Sequence, residues 1–511
     1  MFEHRSRGRR GGRWTAAASL AAVAALLSTG PATAVETKPK PLDAVTYYVD
    51  CAQGNDSAAG TSAATAWKTL AKANTQTLGY GESLLIKGGT ACTGMLQPRG
   101  SGTSNYPITI GSYGNGKGRI DANGALAAVY LANVQYYRVH DLELTNTAAT
   151  PGQRFGLYAK LTDYGTGHGY QVSGLNIHDV DGEDVRFPNP NGGIVFEAAG
   201  TTKATGFSQV SITGNVLQSV DRTGIAAFSS WQRRAQVPGG TGTYVPITGL
   251  MIGQNQLRDI GGDGIVVFNG QDAWVYENLI DGFGMRTADY TLGIHGWNSD
   301  RTHIERNEIA HGRLPSLALG VEGGSTDAYV RFNYTHDNPF GMLYICGANS
   351  AEEGSTTSGA TISYNVSRND GGEGFAVVVT TCVNMSGIEI YNNSVYSPNA
   401  RAFTYASGTT ALRYTNNIFS GSSSGSLVDD PYSTYRYNLF HHVAAGAPTG
   451  TNAVLADPRF VNPALDSADG IKLADGSPAI GAGVEVTGEG PYDYWGQPMP
   501  LPRNIGADLS P

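Results

Sequence analysis

Four acidic residues in the central part of the chain have the types and spacing that carbohydrate chemistry requires. Asp263 opens the segment DGIVVFN, Glu322 ends LALGVE, and Asp337 and Asp370 lie in HDNPFG and RNDGGEG. Glycoside hydrolysis uses two carboxyl groups whose surroundings set their pKa values apart. The sequence therefore predicts Asp263 and Glu322 as the acid/base pair of a glycoside hydrolase, with Asp337 or Asp370 assisting.

A structural interpretation competes with catalysis at each acid. Asp263 and Asp370 precede glycine and Asp337 precedes Asn-Pro, and Asp in such settings is typical of turns in which the carboxylate bonds its own backbone. Glu322 is the acid that a turn explains least. It lies among three glycines, which would leave room for a ligand.

Aromatic residues near these acids predict a surface that binds sugar. Phe268 and Trp297 each lie three residues after an isoleucine, so we expect them in the same register on neighbouring repeats, pointing outward. Outward aromatic rings can stack on pyranose faces, although the pair could instead pack under the loop 285–291. Four further residues complete the predicted substrate contacts: His295, Asn298, His336 and Glu373.

Two other functions stay open. A polysaccharide lyase acting on a uronate needs a base and a group that neutralises the substrate carboxylate; the central repeats lack lysine but contain arginines such as Arg222, Arg286 and Arg368. A non-catalytic glycan-binding or adhesive protein is the third reading. No cofactor is required for hydrolysis; acid clusters allow Ca²⁺, yet no known calcium-loop spacing occurs and no metal ligands are assigned.

The elements that must position these residues are indicated by an asparagine that recurs in the same local setting. Nine copies are separated by 21 to 40 residues: Asn215, Asn255, Asn278, Asn307, Asn333, Asn365, Asn393, Asn417 and Asn438. Self-similarity at this period predicts stacked repeats, each with two short strands, one before the asparagine and one after a later turn. Asn suits a bend, and its amide can hydrogen-bond to its equivalents along the stack.

Stacking determines which acids can cooperate. Neighbouring strands lie about 4.8 Å apart, so Asp263 and Glu322, two repeats apart, would be separated by roughly 9–10 Å. Inverting glycosidases hold their carboxyl groups about 6.5–9.5 Å apart. Pairs one repeat apart, Glu322 with Asp337 or Asp337 with Asp370, would instead suit the retaining arrangement at about 5 Å.

Several segments resemble right-handed parallel β-helix proteins of the pectate-lyase-like superfamily. They are the opening YYVD…GNDSAAGTSAATAWKTLAKA, GGDGI at 261–265 and DPRFVNPALDSADGIKLADGSPAIGAG at 457–483. The resemblance implies an all-β solenoid but no single reaction, because the superfamily contains lyases, glycosidases, esterases and non-catalytic proteins. In the similar branch two acids separated by one residue occupy the LGVE segment; here Gly320 takes the first place, so only Glu322 inherits a role.

The chain divides into four predicted segments. Residues 1–34 have the basic start, apolar stretch and Ala-Thr-Ala end of a signal peptide, and the apolar stretch is too short to span a membrane. Residues 35–45 form a linker, 46–440 the β-helix with a short N-terminal capping helix around Trp67, and 441–511 a C-terminal capping segment. We therefore expect a secreted protein.

Cysteine content and charge agree with export. Four cysteines predict two disulfides, Cys51–Cys92 and Cys346–Cys382, with four free thiols as the alternative. A net charge of −9 disfavours binding to nucleic acid or an anionic membrane. The expected partner is a polysaccharide, and a capped solenoid needs no second subunit, so we expect a monomer.

Overall fold

The structure is a computed structural model that describes residues 43–186, 190–313, 315–349, 353–372, 375–408 and 411–508. Its strands form three long parallel sheets around one apolar core, with little helix. The predicted parallel β-helix is confirmed. The predicted signal peptide and most of the 35–45 linker lie outside the described residues. Within them, no helix has the length and apolar character needed to cross a membrane.

The first sheet contains fifteen strands. They are β1 (Thr46–Val49), β2 (Ser83–Lys87), β4 (Ile108–Tyr113), β7 (Tyr137–His140), β10 (Thr166–Ser173), β13 (Gly206–Thr213), β16 (Ile247–Gly253), β19 (Gly270–Gln271), β20 (Trp274–Tyr276), β23 (His303–Glu305), β26 (Tyr329–Arg331), β30 (Thr361–Ser363), β34 (Glu389–Tyr391), β37 (Arg413–Thr415) and β40 (Thr434–Arg436).

The second sheet contains fourteen strands. They are β3 (Ala91–Thr93), β5 (Gly118–Asp121), β8 (Leu142–Asn146), β11 (Asn176–Val180), β14 (Val216–Val220), β17 (Gln256–Ile260), β21 (Leu279–Asp281), β24 (Glu308–Ala310), β27 (Tyr334–His336), β31 (Val366–Arg368), β35 (Ser394–Tyr396), β38 (Ile418–Ser420), β41 (Leu439–His441) and β42 (Val454–Leu455).

The third sheet contains eleven strands, and β29 (Thr357–Ser358) pairs separately with β33 (Met385–Ser386). The eleven are β6 (Ala127–Ala132), β9 (Phe155–Thr162), β12 (Gly192–Ala199), β15 (Thr223–Ser229), β18 (Ile265–Phe268), β22 (Thr291–Trp297), β25 (Ser316–Glu322), β28 (Leu343–Ile345), β32 (Ala376–Thr380), β36 (Ala402–Ala406) and β39 (Leu427–Asp429).

Most coils have three strands, one more than the two that the sequence indicates. The strand that the sequence analysis does not predict belongs to the second sheet. It starts directly after the repeated asparagine, as β21 does after Asn278 and β24 after Asn307. Each of these strands has three residues and follows a first-sheet strand with only the bend between them. Two strands of three residues, separated by only two residues, are too short for the sequence to show them as separate strands.

The asparagine ladder is confirmed. Nδ2 of Asn215 donates to Oδ1 of Asn255 at 2.9 Å, and the same contact repeats at 2.9–3.0 Å through to Asn438. Each receiving Oδ1 also accepts the backbone N–H of the preceding asparagine, as Asn307 does from Asn278 at 3.0 Å. The left-handed backbone belongs to the residue before the asparagine, such as Glu277 (φ 52°), and not to the asparagine itself.

The two ends of the solenoid differ. At the N-terminal end Trp67 stacks on Tyr47 with ring centroids 5.1 Å apart, and the helix α1 (Leu70–Ala73) buries Leu70 and Ala73 against the core, as the predicted cap requires. Two 3₁₀ turns, Ala63–Thr65 and Ala468–Ile471, are the other helical elements of the described chain. Both predicted disulfides are present, Cys51–Cys92 and Cys346–Cys382.

The C-terminal segment does more than extend the last coil. After β42 it returns along the outer face of the second sheet, where Ala468, Ile471 and Ala507 pack on Tyr334 and Val366. A second contact joins Ala479 and Ile505 to Ile418 and Leu439. Residues 441–508 therefore cover a side wall of the solenoid, a position that the capping-like sequence did not indicate.

Replacing Asn307 by alanine should destabilise the protein by several kcal/mol. The substitution removes the acceptor of two donors of Asn278, and each buried polar group left without a partner costs about 1–3 kcal/mol. Urea unfolding measures the change. Asn105→Ala, at an exposed position, is the matched control and should change the free energy of unfolding by less than about 0.5 kcal/mol. Equal stability of the two variants would contradict a structural role for the ladder.

Candidate active site

The outer face of the third sheet brings together residues that are far apart in sequence. Two outward rows cross β18, β22 and β25: Val266, His295 and Gly320 form one, and Phe268, Trp297 and Glu322 form the other. The residues just before the first row, Ile265, Ile294 and Leu319, point into the core. Glu322 therefore lies on the outer wall beside Trp297, as the sequence predicts.

Glu322 has the environment of a proton donor. Its side chain is 19% exposed, and Oε2 lies 3.5 Å from Nε2 of His295. Burial raises the pKa of its carboxyl to about 7; the Arg186 guanidinium opposes this rise and the charge of Asp263 adds to it. The carboxyl group thus keeps its proton up to neutral pH, which is the state that general acid catalysis needs.

His295 is held in its neutral form. Burial lowers the pKa of its imidazole to about 4; Asp263 opposes the change and Arg186 adds to it. Nδ1 is buried and has no hydrogen-bond partner among the residues that the structure describes. The ring therefore contacts Glu322 on one side and offers a free polar atom on the other.

Asp263 is the second acid of the cluster, and its carboxylate is ionised. It accepts hydrogen bonds from Nε of Arg186 at 3.0 Å and from the backbone N–H of Leu292 at 3.0 Å, and Nη1 of Arg222 lies 3.4 Å away. Burial alone would raise the pKa of Asp263, but the two guanidinium groups outweigh it and the pKa is lowered. Two acids with opposite pKa shifts, from strands two coils apart, thus belong to one electrostatic cluster.

The expected exposure of Asp263 is wrong. Its side chain is 0% exposed because Arg186, itself 32% exposed, lies against it and also donates to the carbonyl oxygen of Tyr290. Asp263 therefore orients Arg186, and its negative charge acts on Glu322 although Asp263 itself is not exposed. The sequence does not indicate this role of Arg186, because no local pattern links it to a residue 77 positions away.

The predicted helpers of Glu322 lie on another wall, so that part of the prediction is wrong. His336 ends β27 in the second sheet and Asp337 follows it, where the Asp337 carboxylate accepts hydrogen bonds from His336 at 2.9 Å and from Arg368 at 2.8 Å. Asp370 is fully buried and accepts hydrogen bonds from Thr335, Ser367 and Asn338. The C-terminal segment covers this wall, since Asp466 pairs with Arg368. These acids form turns and ion pairs.

Of the other predicted substrate contacts, two have the expected position, one is buried, and one lies outside the described residues. Phe268 and Trp297 are in register as expected, half-buried, with ring centroids 4.6 Å apart. Asn298 is not available to a ligand: it is fully buried, its Nδ2 donates to Asn269 at 2.8 Å, and its Oδ1 accepts from Arg234 at 2.6 Å. Glu373 lies outside the described residues.

One cluster in the described part of the chain has the spacing of a metal site. Ligand atoms of His311, His336 and Asp337 lie within 4.8 Å of one another. Burial alone would lower the pKa of His336, but hydrogen bonds to Asp337 and Glu308 outweigh it and raise the pKa to about 9. His336 is therefore protonated at neutral pH, and the cluster is an ion-pair network. Its imidazoles also differ from the oxygen ligands that Ca²⁺ prefers.

Comparison with known families agrees with this architecture. A family model described as the right handed beta helix region matches residues 192–419, which include β12 through β38. The match and the three stacked parallel sheets make this chain a right-handed parallel β-helix protein.

Two lacto-N-biosidases are similar to this chain, one in sequence and one in solved structure. A lacto-N-biosidase of Bifidobacterium longum subsp. longum is 26% identical over 524 residues; the alignment covers 83% of this chain and 32% of that protein. The chain thus spans about a third of the length of this curated relative. The solved GH136 lacto-N-biosidase from Eubacterium ramulus is 21% identical with a TM-score of 0.57, covering 81% of this chain and 67% of its own.

A third solved structure, XylC in complex with xylose, is 11% identical with a TM-score of 0.53 and covers 91% of this chain and 98% of its own. At these identities both solved structures show the fold alone.

Stability should depend on the protonation of Glu322. Its pKa is raised from 4.5 to about 7, so it contributes stability that is complete below pH 4.5 and is lost as the pH rises through 7. Glu322→Gln should remove that loss, so the variant gains on the wild type by about 3 kcal/mol across this window, at about 1.36 kcal/mol per pKa unit. Urea unfolding at a series of pH values measures it.

His295 makes an opposing contribution, because its lowered pKa costs stability as the pH falls from 6.5 toward 4. The wild type and Glu322→Gln both contain His295, so this contribution cancels when their stabilities are subtracted. Glu277→Gln, exposed on the bend before Asn278, is the control and should parallel wild type at every pH. A Glu322→Gln curve that also parallels wild type would show that Glu322 titrates normally.

Asp263→Asn should be strongly destabilising. The change leaves Arg222, 1% exposed, and Arg186 without a full counter-charge, and breaking one side of a buried ion pair costs about 3–5 kcal/mol. Asp272→Asn breaks a similar but exposed pair with Arg301 and should cost less than about 1 kcal/mol. Similar losses in the two variants would rule out a special role for burial at Asp263.

Proposed function

We propose that the chain is a glycoside hydrolase in which Glu322 donates a proton to the glycosidic oxygen. The proposal rests on one observation: Glu322, whose pKa is raised to about 7, is partly exposed on the outer face of the third sheet, close enough to the ionised Asp263 for the two charges to interact. Acids whose environments separate their pKa values are the pattern of glycosidase sites. The 26% identity to a lacto-N-biosidase over 83% of the chain supports the same reaction class.

The arrangement assigns a role to each group. Protonated Glu322 gives its proton to the leaving oxygen as the bond from that oxygen to the anomeric carbon breaks, and a water molecule adds to that carbon and releases a proton to solvent. The negative charge of Asp263 stabilises the positive charge that develops on the sugar ring. Neutral His295, 3.5 Å from Glu322, orients that carboxyl group. Direct contact between Asp263 and the sugar requires the Arg186 guanidinium to move, and its partial exposure lets a bound substrate compete for it.

The proposed substrate is a glycan, with Trp297 and Phe268 as stacking surfaces beside Glu322. Because the Bifidobacterium relative is a lacto-N-biosidase, glycans that contain lacto-N-biose come first in a substrate panel. The signal-like residues 1–34 and both disulfides support secretion, where polymeric glycans are accessible. We propose that the secreted protein acts as a monomer without a required metal.

Glu322→Gln should lower kcat by about 10²- to 10⁴-fold on any glycan that the wild type cleaves, because a positioned general acid contributes about that much. Release of reducing sugar from a panel of neutral and acidic glycans measures it. Wild-type activity should also fall as the pH rises through about 7, where Glu322 loses its proton. Glu277→Gln should keep full activity. Full activity of Glu322→Gln would remove Glu322 from the mechanism.

A polysaccharide lyase is the second candidate, favoured by Arg222. Its guanidinium is 1% exposed and lies 3.4 Å from Asp263 and from Asp184, yet its nitrogens make no hydrogen bond among the described residues. An arginine so placed could hold a uronate carboxylate. Lyase products are unsaturated and absorb in the near ultraviolet, so such absorbance in the product mixture would replace hydrolysis by elimination.

A further inference from the structure

The wall that holds Glu322 opens into a cavity on one side. The outward row of His295 and Gly320 continues through Tyr344, Val379, Tyr405 and Asp429 on β28, β32, β36 and β39. Along this stretch lies a cavity of 370 Å³, lined by these four residues and by Tyr290, Phe340, Phe375 and Arg401 among others. In the opposite direction the same row is closed, since Val266, Ala226 and Val195 are 0% exposed.

The cavity lies beside the strand that carries Glu322. Tyr344 follows Gly320 in register on the next coil, about 4.8 Å along the stack. Tyr290 and Tyr344 have ring centroids 5.0 Å apart, and for both hydroxyls burial, together with the charge of Glu322, raises the pKa. Both tyrosines line the cavity and lie close enough to Glu322 for its charge to act on their hydroxyls, so the cavity is next to Glu322.

The lining is mainly aromatic. Phe340 and Phe375 lie with ring centroids 4.2 Å apart, Phe340 meets Tyr290 edge to face, and Tyr405 is 37% exposed. Aromatic walls with a few polar groups are typical of small-molecule sites, whose volumes run from about 300 to 1,000 Å³. Such walls match the C–H faces of pyranose rings.

Two polar features specify the ligand further. The hydroxyl oxygen of Tyr290 is buried and has no hydrogen-bond partner in the described part of the chain, a costly state that a ligand hydroxyl would relieve. Arg401 and Asp429 contribute one positive and one negative charge to the lining, so the cavity has no net charge. A neutral sugar fits this balance better than a uronate does.

We propose that this cavity is a binding subsite for neutral pyranose units attached to the sugar that is cleaved at Glu322. Tyr344 and Tyr405, two coils apart, stack on the rings, and the Tyr290 hydroxyl bonds a sugar hydroxyl. The proposal rests on the proposed function, since it places the remainder of that substrate.

Titration calorimetry tests it without turnover, in a Glu322→Gln background. The probes are lacto-N-biose, a series of neutral di-, tri- and tetrasaccharides, and a uronate oligosaccharide of matched length. Tyr290→Phe and Tyr405→Ala should each weaken binding of the neutral oligosaccharides about three- to tenfold, the effect of one lost hydrogen bond or one lost stacking contact. Tyr80→Ala, 61% exposed at the far end of the solenoid, should leave the dissociation constant unchanged.

The outcomes separate the two proposals. If wild type cleaves glycans and loses activity in Glu322→Gln, yet neither tyrosine variant weakens binding, the subsite is wrong and the hydrolase stands. If the tyrosine variants weaken binding but no glycan is cleaved, the subsite stands and the hydrolase fails. Tighter binding of the uronate probe, or no binding of any neutral probe, overturns the subsite. Tyr290→Phe keeps the shape of the side chain, so a folding defect in Tyr405→Ala would not obscure the result.

Discussion

The structure depends on the hydrogen bonds that pass from one asparagine to the next along the bend between the first and second sheets. Each Oδ1 accepts both the side-chain and the backbone N–H of the asparagine one coil away, so the ladder sets the spacing and register of the coils together. Loops between strands vary widely in length, yet His295 still lies beside Gly320, and Trp297 beside Glu322. The register of the third-sheet strands that carry Glu322 therefore depends on a bend on another side of the solenoid.

Within that wall, two acids of nearly identical chemistry take opposite states because their neighbours differ. Glu322 is largely removed from water beside a neutral imidazole, so its proton is retained. Asp263 is removed from water completely, but two guanidinium groups and a backbone N–H stabilise its charge. Buried ion pairs add little net stability, since desolvation offsets their attraction. What Arg186, Arg222 and Asp263 provide is an ionised acid near Glu322, whose own pKa is raised by burial.

The outer faces of the second and third sheets differ in what covers them. The second sheet is covered by the returning C-terminal segment, which pairs Asp466 with Arg368 and packs apolar residues on Tyr334. The third sheet stays open from Glu322 toward Tyr405, and there the aromatic cavity lies. Acids on the covered wall therefore serve turns and ion pairs, whereas Glu322, on the open wall, is the candidate for chemistry.

The sequence by itself determined the solenoid, the asparagine ladder, both disulfides, the shared register of Phe268 and Trp297, and the outward position of Glu322. The disulfides follow from the number and positions of the cysteines, and the other features follow from local periodicity, because each coil contacts its equivalent one repeat away. Tertiary structure alone decided that Arg186 covers Asp263, that Asp337 and Asp370 lie on a different wall, and that the C-terminal segment covers that wall. Those contacts join residues across loops of unequal length, and no repeat in the chain records where such loops and tails will lie.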